Sequence, residues 1–178
     1  MADMKKHQFL QVELASTVRL SPAEKLKMNR YLALASLALE KSFSDKEFIK
    51  AGKDITQLQV SLLICGDKRI QELNGEYRNK NYVTDVLSFP AHEDLRQLRK
   101  LPMMSRNLFL GDMAICHPQT KRQAKEFEIS YWDEFIHLFI HGVLHLLGYD
   151  HEESVKEQKL QELWEDRLLS EISRLKKK

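Results

Sequence analysis

Four of the seven histidines in this chain fall between residues 137 and 151, where an even spread over the sequence would place about 0.6. The excess requires a cause. His137, His141 and His145 recur every fourth residue, so on a helix they form one stripe, whereas His151 lies beyond Gly148, a residue type that ends helices. At 1.5 Å rise per residue, His137 and His145 stand about 12 Å apart along the axis, too far for one ion bound about 2.0–2.1 Å from each nitrogen. His141 and His145, one turn apart, can share an ion. A chain reversal at Gly148 lets Tyr149-Asp150-His151 return a third imidazole to it. The expected ligand set is therefore His141, His145 and His151, holding one metal ion. Three neutral imidazoles leave a fourth position for water, as in catalytic rather than structural zinc, and such a water becomes hydroxide near neutral pH. One histidine on an apolar face would by default be a core residue hydrogen-bonded to backbone; three at this spacing favour a metal.

The spacing His-x-x-x-His-x-x-Gly-x-x-His is similar to that of the metzincin proteases, with one departure. Gly142 stands where their catalytic glutamate would. Glycine has no side chain to act as general base, so that peptidase mechanism has no carboxylate at this position.

The segment His141-Gly-Val-Leu-His145-Leu-Leu-Gly-Tyr-Asp-His151 resembles the signature of the YbeY family of bacterial endoribonucleases. Leu73-Asn74 through Tyr77-Arg78, followed by Thr84-Asp85-Val86-Leu87-Ser88-Phe89-Pro90, resembles a second family block, and Leu110-Gly111-Asp112-Met113-Ala114-Ile115-Cys116 a third. The resemblance spans about residues 58–165, with small departures at Asn81 and Val83, where Asp and Pro or Ala are the commoner family residues. It implies a zinc-dependent, single-strand-specific endoribonuclease acting in ribosomal RNA maturation, notably at the 3′ end of 16S rRNA, and in ribosome quality control. It also implies His141, His145 and His151 as ligands, Arg78 as a cleft arginine important to activity, and rRNA with the ribosome or ribosomal proteins as partners.

A guanidinium at Arg78 could grip a phosphate at two points and stabilise charge developing during cleavage. Without the resemblance it would pass for a solvated surface residue, as Lys80 does. Asp85, Asp112 and Asp150 are the acidic candidates for orienting a ligand or taking a proton, because ligating histidines usually donate their second N–H to an oxygen. Asp112 interrupts an apolar strand pattern and is expected to have a partner. His137 is expected to be core or to support the ligands from behind, Cys116 to be core beside His117, and Lys176-Lys177-Lys178 to be a solvated tail.

The net charge of +2 announces no polyanion, but its distribution is uneven. Residues 66–125 carry net +4 and include Arg78, Lys80, Arg96, Arg99, Lys100 and Arg106, while residues 126–173 carry net −9. An RNA backbone is expected against the first of these regions.

Positioning these residues takes a set of elements that the sequence also outlines. Leu10, Val12 and Leu14 alternate with polar residues as in a strand, and Leu58 to Ile64 repeats the pattern. Ser21-Pro22-Ala23-Glu24 opens a helix to about Lys41, with Leu26, Leu32, Leu34 and Leu37 as its apolar residues. A short helix with Ile70, Leu73 and Tyr77 follows Gly66-Asp67, then a strand at Asp85 to Phe89, a loop over 91–107, a strand at Leu108 to Ile115 and an exposed helix from Pro118. Ser130 with Asp133 caps a helix from Tyr131 to Leu147 that is apolar nearly all round, and a last helix from about Glu152 is expected to bury Val155, Leu160, Leu163, Trp164, Leu168 and Ile172.

At 178 residues and 43% hydrophobic content, one α+β domain over 1–178 is expected, with a small mixed β-sheet of about four strands packed on helices and the histidine-bearing helix buried centrally. Two cysteines make no disulfide framework, the N-terminus has no apolar signal run, and Phe135 to Tyr149, the 15-residue uncharged stretch, is shorter than the roughly 20 residues that span a bilayer. The expected setting is the cytoplasm. Two other readings fit less well: a metal-dependent peptidase or other hydrolase, and a non-catalytic ribosome-assembly factor with a structural ion.

Overall fold

A computed structural model describes residues 9–43, 45, 48, 55–92, 107–149 and 155–177. Their elements run β1 (Leu10–Ser16), α1 (Pro22–Phe43), β2 (Gln57–Cys65), α2 (Asp67–Arg78), β3 (Val86–Pro90), β4 (Asn107–Cys116), α3 (His117–Glu126), α4 (Tyr131–Leu146) and α5 (Val155–Lys176). The fold is α+β. Strands β1, β2 and β4 are parallel, β3 pairs antiparallel with β4, and the order β1-β2-β4-β3 leaves β3 as an edge.

Period-2 alternation sorts the strand residues onto two faces. Leu10, Leu58, Leu62, Met113 and Ile115 point toward α1, α4 and α5 and join the larger core cluster. Cys65, Leu87, Ala114 and Cys116 point the other way and pack with Ile70 and Leu73 of α2. Thus α4 and α2 lie on opposite faces of the sheet, near its β3 edge.

The capping signals hold. Ser21 Oγ accepts the Glu24 N–H at 3.2 Å while Glu24 Oε2 accepts the Ser21 N–H at 2.8 Å, the reciprocal box that starts α1. Two helices bury only part of the apolar rows expected for them. In α1, Leu26 and Leu37 are 74% and 52% exposed, and the buried row is Met28, Leu32, Ala35 and Leu39. Leu26 and Leu37 share a helical row with Arg30, which turns toward water, so the small Ala35 and Ala38 let the helix approach the core instead. In α5, Val155 (69% exposed) and Leu163 (43%) also face out, and the buried row is Gln161, Trp164, Leu168 and Ile172. The start expected near Glu152 and the loop residues 93–106 lie outside the described residues.

Candidate metal centre

Helix α4 is fixed from both ends and along its length. Ser130 Oγ accepts the Asp133 N–H at 3.1 Å at its start. Phe135, Phe139, Ile140, Val143, Leu144 and Leu146 are fully buried, each contributing about 1.5–3 kcal/mol. At its end Gly148, at φ 91°, supplies the left-handed turn: its N–H donates to the His145 carbonyl at 2.9 Å, and the Tyr149 N–H to the Leu144 carbonyl at 3.0 Å. Buried Tyr149, whose hydroxyl donates to the Phe48 carbonyl, then anchors the residue just past this turn.

These constraints put His141 and His145 in the last two turns of α4, where the negative end of the helix dipole favours a cation. Their Nε2 atoms face each other at 3.1 Å. Two nitrogens bound about 2.0–2.1 Å from one tetrahedral ion would stand about 3.3 Å apart, so the pair fits a shared zinc with a small adjustment.

Support for the pair comes from α5. Glu165 Oε1 lies 3.3 Å from His141 Nδ1 and 3.2 Å from His137 Nε2, and Gln161 Nε2 lies 3.3 Å from His141 Nδ1. His137 also meets buried Glu134 at 3.4 Å. The Glu134 and Glu165 carboxylates raise the pKa of His137. Burial pushes the Glu165 carboxyl up, but His137 and His141 outweigh it and hold the group ionised. Asp85, Val86, His137, His141, Gln161 and Glu165 line a cavity of about 320 Å³ beside the pair. Neither Glu165 nor Gln161 stands out in the sequence, where both are ordinary polar residues of an amphipathic helix.

The third expected ligand, His151, and its neighbour Asp150 lie outside the described residues, and among the described residues no group of three or more His, Cys, Asp or Glu is placed to hold a metal. Arg78 ends α2, exposed, on the opposite sheet face from α4, and does not line the cavity. Lys80 is exposed just beyond it; Arg96, Arg99, Lys100 and Arg106 lie outside the described residues. Asp85 is tied down locally, accepting from Val86 N at 2.7 Å and Gln123 Nε2 at 2.8 Å.

Asp112 corrects an expectation: its side chain faces solvent, so water replaces the partner that burial would have demanded. Lys176 corrects another, since it pairs with Asp133 at 2.5 Å and sits 4.5 Å from the Tyr31 ring centre instead of trailing in water. Cys116 is core as expected; burial pushes its thiol up to about 12, which leaves little thiolate for metal binding.

Gly142 packs directly against the sheet. A Cβ there would come 2.6 Å from Met113 Cε, 2.8 Å from Met113 Sδ and 3.0 Å from Ser88 Oγ. The metzincin glutamate position is thus filled by neighbouring side chains.

The sequence profile of the family described as endoribonuclease YbeY matches residues 21–173. The chain belongs to the endoribonuclease YbeY family. Among the YbeY proteins it is similar to, that of Thermodesulfovibrio yellowstonii is 37% identical over 151 residues, covering 84% of this chain and 89% of the relative. That of Persephonella marina is 38% identical over 152 residues, covering 82% and 94%. A Thermotoga maritima protein solved in solution has a similar fold, with a TM-score of 0.54 and 26% identity over 91% of this chain and 89% of that one. The YbeY profile reaches well beyond the 58–165 stretch that carries the recognisable motifs, and takes in α1 and most of α5. Family membership supports an endoribonuclease role. No described helix is long and apolar enough to cross a membrane.

Proposed function

We propose that this chain is a zinc-dependent, single-strand-specific endoribonuclease that acts in maturation of ribosomal RNA, at the 3′ end of 16S rRNA, and in ribosome quality control in the cytoplasm, with the ribosome or ribosomal proteins as partners. The observation that carries the metal part is the facing pair of Nε2 atoms on His141 and His145; family membership carries the nuclease part.

In this reading His141, His145 and His151 hold the zinc. When bound, zinc supplies Lewis acidity, polarising a phosphoryl oxygen and lowering the pKa of a coordinated water. Arg78 grips the scissile phosphate and stabilises its developing charge through the guanidinium fork. Because α4 and α2 flank the β3 edge from opposite faces, the RNA strand passes along that edge to meet both, with exposed Lys80 available to its backbone.

Arg78→Ala is the discriminating variant. It is expected to keep its full zinc content and thermal stability while cleaving a single-stranded 16S rRNA fragment about 10²–10³-fold more slowly. Cleavage rates with bound metal quantified in the same preparations check this. Equal rates for wild type and variant would remove Arg78 from the site.

A further inference from the structure

We infer that Glu165 is a positioning residue: it fixes His141 in the tautomer protonated at Nδ1, so that the Nε2 lone pair is aimed at the point facing His145. The inference rests on the zinc reading above and extends it to a residue on a different helix, 24 positions along the chain.

A carboxylate on the inner side of α5 is costly unless compensated. The Glu165 side chain is only 13% exposed, one residue from buried Trp164, and two imidazole nitrogens stand 3.2 and 3.3 Å from its Oε1. Its contact on His141 is at Nδ1, the nitrogen opposite the one that faces His145. A neutral imidazole has one N–H. If that proton sits at Nδ1 it donates toward Glu165, and Nε2 is left as a lone pair able to take a cation; with the proton at Nε2, the ring presents N–H to the cation site and a lone pair to a carboxylate.

Gln161 can reinforce the same choice. Its amide touches Nδ1 at 3.3 Å and is almost wholly buried. Turning that amide end for end places Oε1 against the ring, so that both α5 neighbours of Nδ1 become acceptors. His137 Nε2 approaches the same oxygen, Oε1, at 3.2 Å. Carboxylates in this relation to a ligating histidine typically change metal affinity about 10–100-fold.

The test uses the full chain with zinc alone, titrated against a competing chromophoric chelator, and nitrogen NMR of His141 in metal-free protein. Glu165→Leu keeps the packing volume but removes the acceptor; Glu165→Gln keeps an acceptor oxygen. Expected is about a 10–100-fold loss of zinc affinity in Glu165→Leu with His141 shifted toward the Nε2–H tautomer, and recovery of the tautomer and most of the affinity in Glu165→Gln. His145→Ala is the control for the metal reading. If His145→Ala loses zinc but Glu165→Leu binds it as tightly as wild type, or the Leu and Gln variants are equally impaired, the positioning role is wrong while the metal centre stands. If wild type binds no more zinc than His145→Ala, the metal centre fails and the inference with it.

Discussion

Replacing His145 by alanine is expected to abolish zinc binding and RNA cleavage together while leaving the protein folded. His145 supplies one of the two nitrogens that meet at 3.1 Å, and His141 alone on α4 would leave the ion without its second helical ligand. Metal contributes several kcal/mol of transition-state stabilisation in hydrolases of this kind, so the rate should fall by roughly 10³-fold or more. The fold should survive, because the side chain is only partly buried and the leucines on either side, Leu144 and Leu146, hold the helix. Metal content, cleavage of a single-stranded rRNA fragment and thermal unfolding measured on one preparation check all three expectations. A variant that lost zinc but cut at the wild-type rate would separate the metal from the chemistry.

Gly142→Glu should be the most destabilising single change in the site. The substitution restores the residue that metzincin proteases carry after their first histidine, yet the space it needs is occupied by Met113 and by Ser88 Oγ, which also donates to the Gly142 carbonyl at 3.4 Å. Met113 can shift its tip, but it is fully buried between β4 and α4, and the carboxylate beyond Cβ would have to follow it into an apolar layer. Overpacking and an unpaired buried charge together are expected to cost about 3 kcal/mol or more. Chemical denaturation measures the loss. No gain of peptide cleavage is expected, because the added carboxylate has no place beside the facing imidazoles; a stable Gly142→Glu protein with peptidase activity would revive the peptidase reading.

What could be read in the sequence was mostly local. The His141 and His145 pairing follows from one helical turn, the Ser21–Glu24 and Ser130–Asp133 caps from three-residue spacing, and the Gly148 turn from a residue type that tolerates positive φ. The strands were legible for the same reason, since alternation exposes which face is apolar.

What could not be read depended on which helix faces meet. In α1, leucines and alanines cover most of the circumference, so periodicity alone could not separate the buried Met28–Leu32–Ala35–Leu39 row from the outward Leu26 and Leu37. Glu165 and Gln161 gained their meaning only when the packing of α5 on α4 carried them to His141. Asp112 looked buried because its neighbours are apolar, but its own position on β4 faces water although Ala114 and Cys116 on the same face are covered by α2. Lys176 looked like tail because nothing local announces Asp133 and Tyr31, which come from two other helices. The fit of Gly142 against Met113 was equally invisible: the sequence showed a missing glutamate, and packing supplied the reason.

The most direct single measurement is to strip the purified protein of metal, assay cleavage of single-stranded 16S rRNA, and then restore one equivalent of zinc. Cleavage should vanish on stripping and return with zinc in the wild type but not in His145→Ala. Undiminished cleavage by metal-free protein would contradict the metal-dependent nuclease outright.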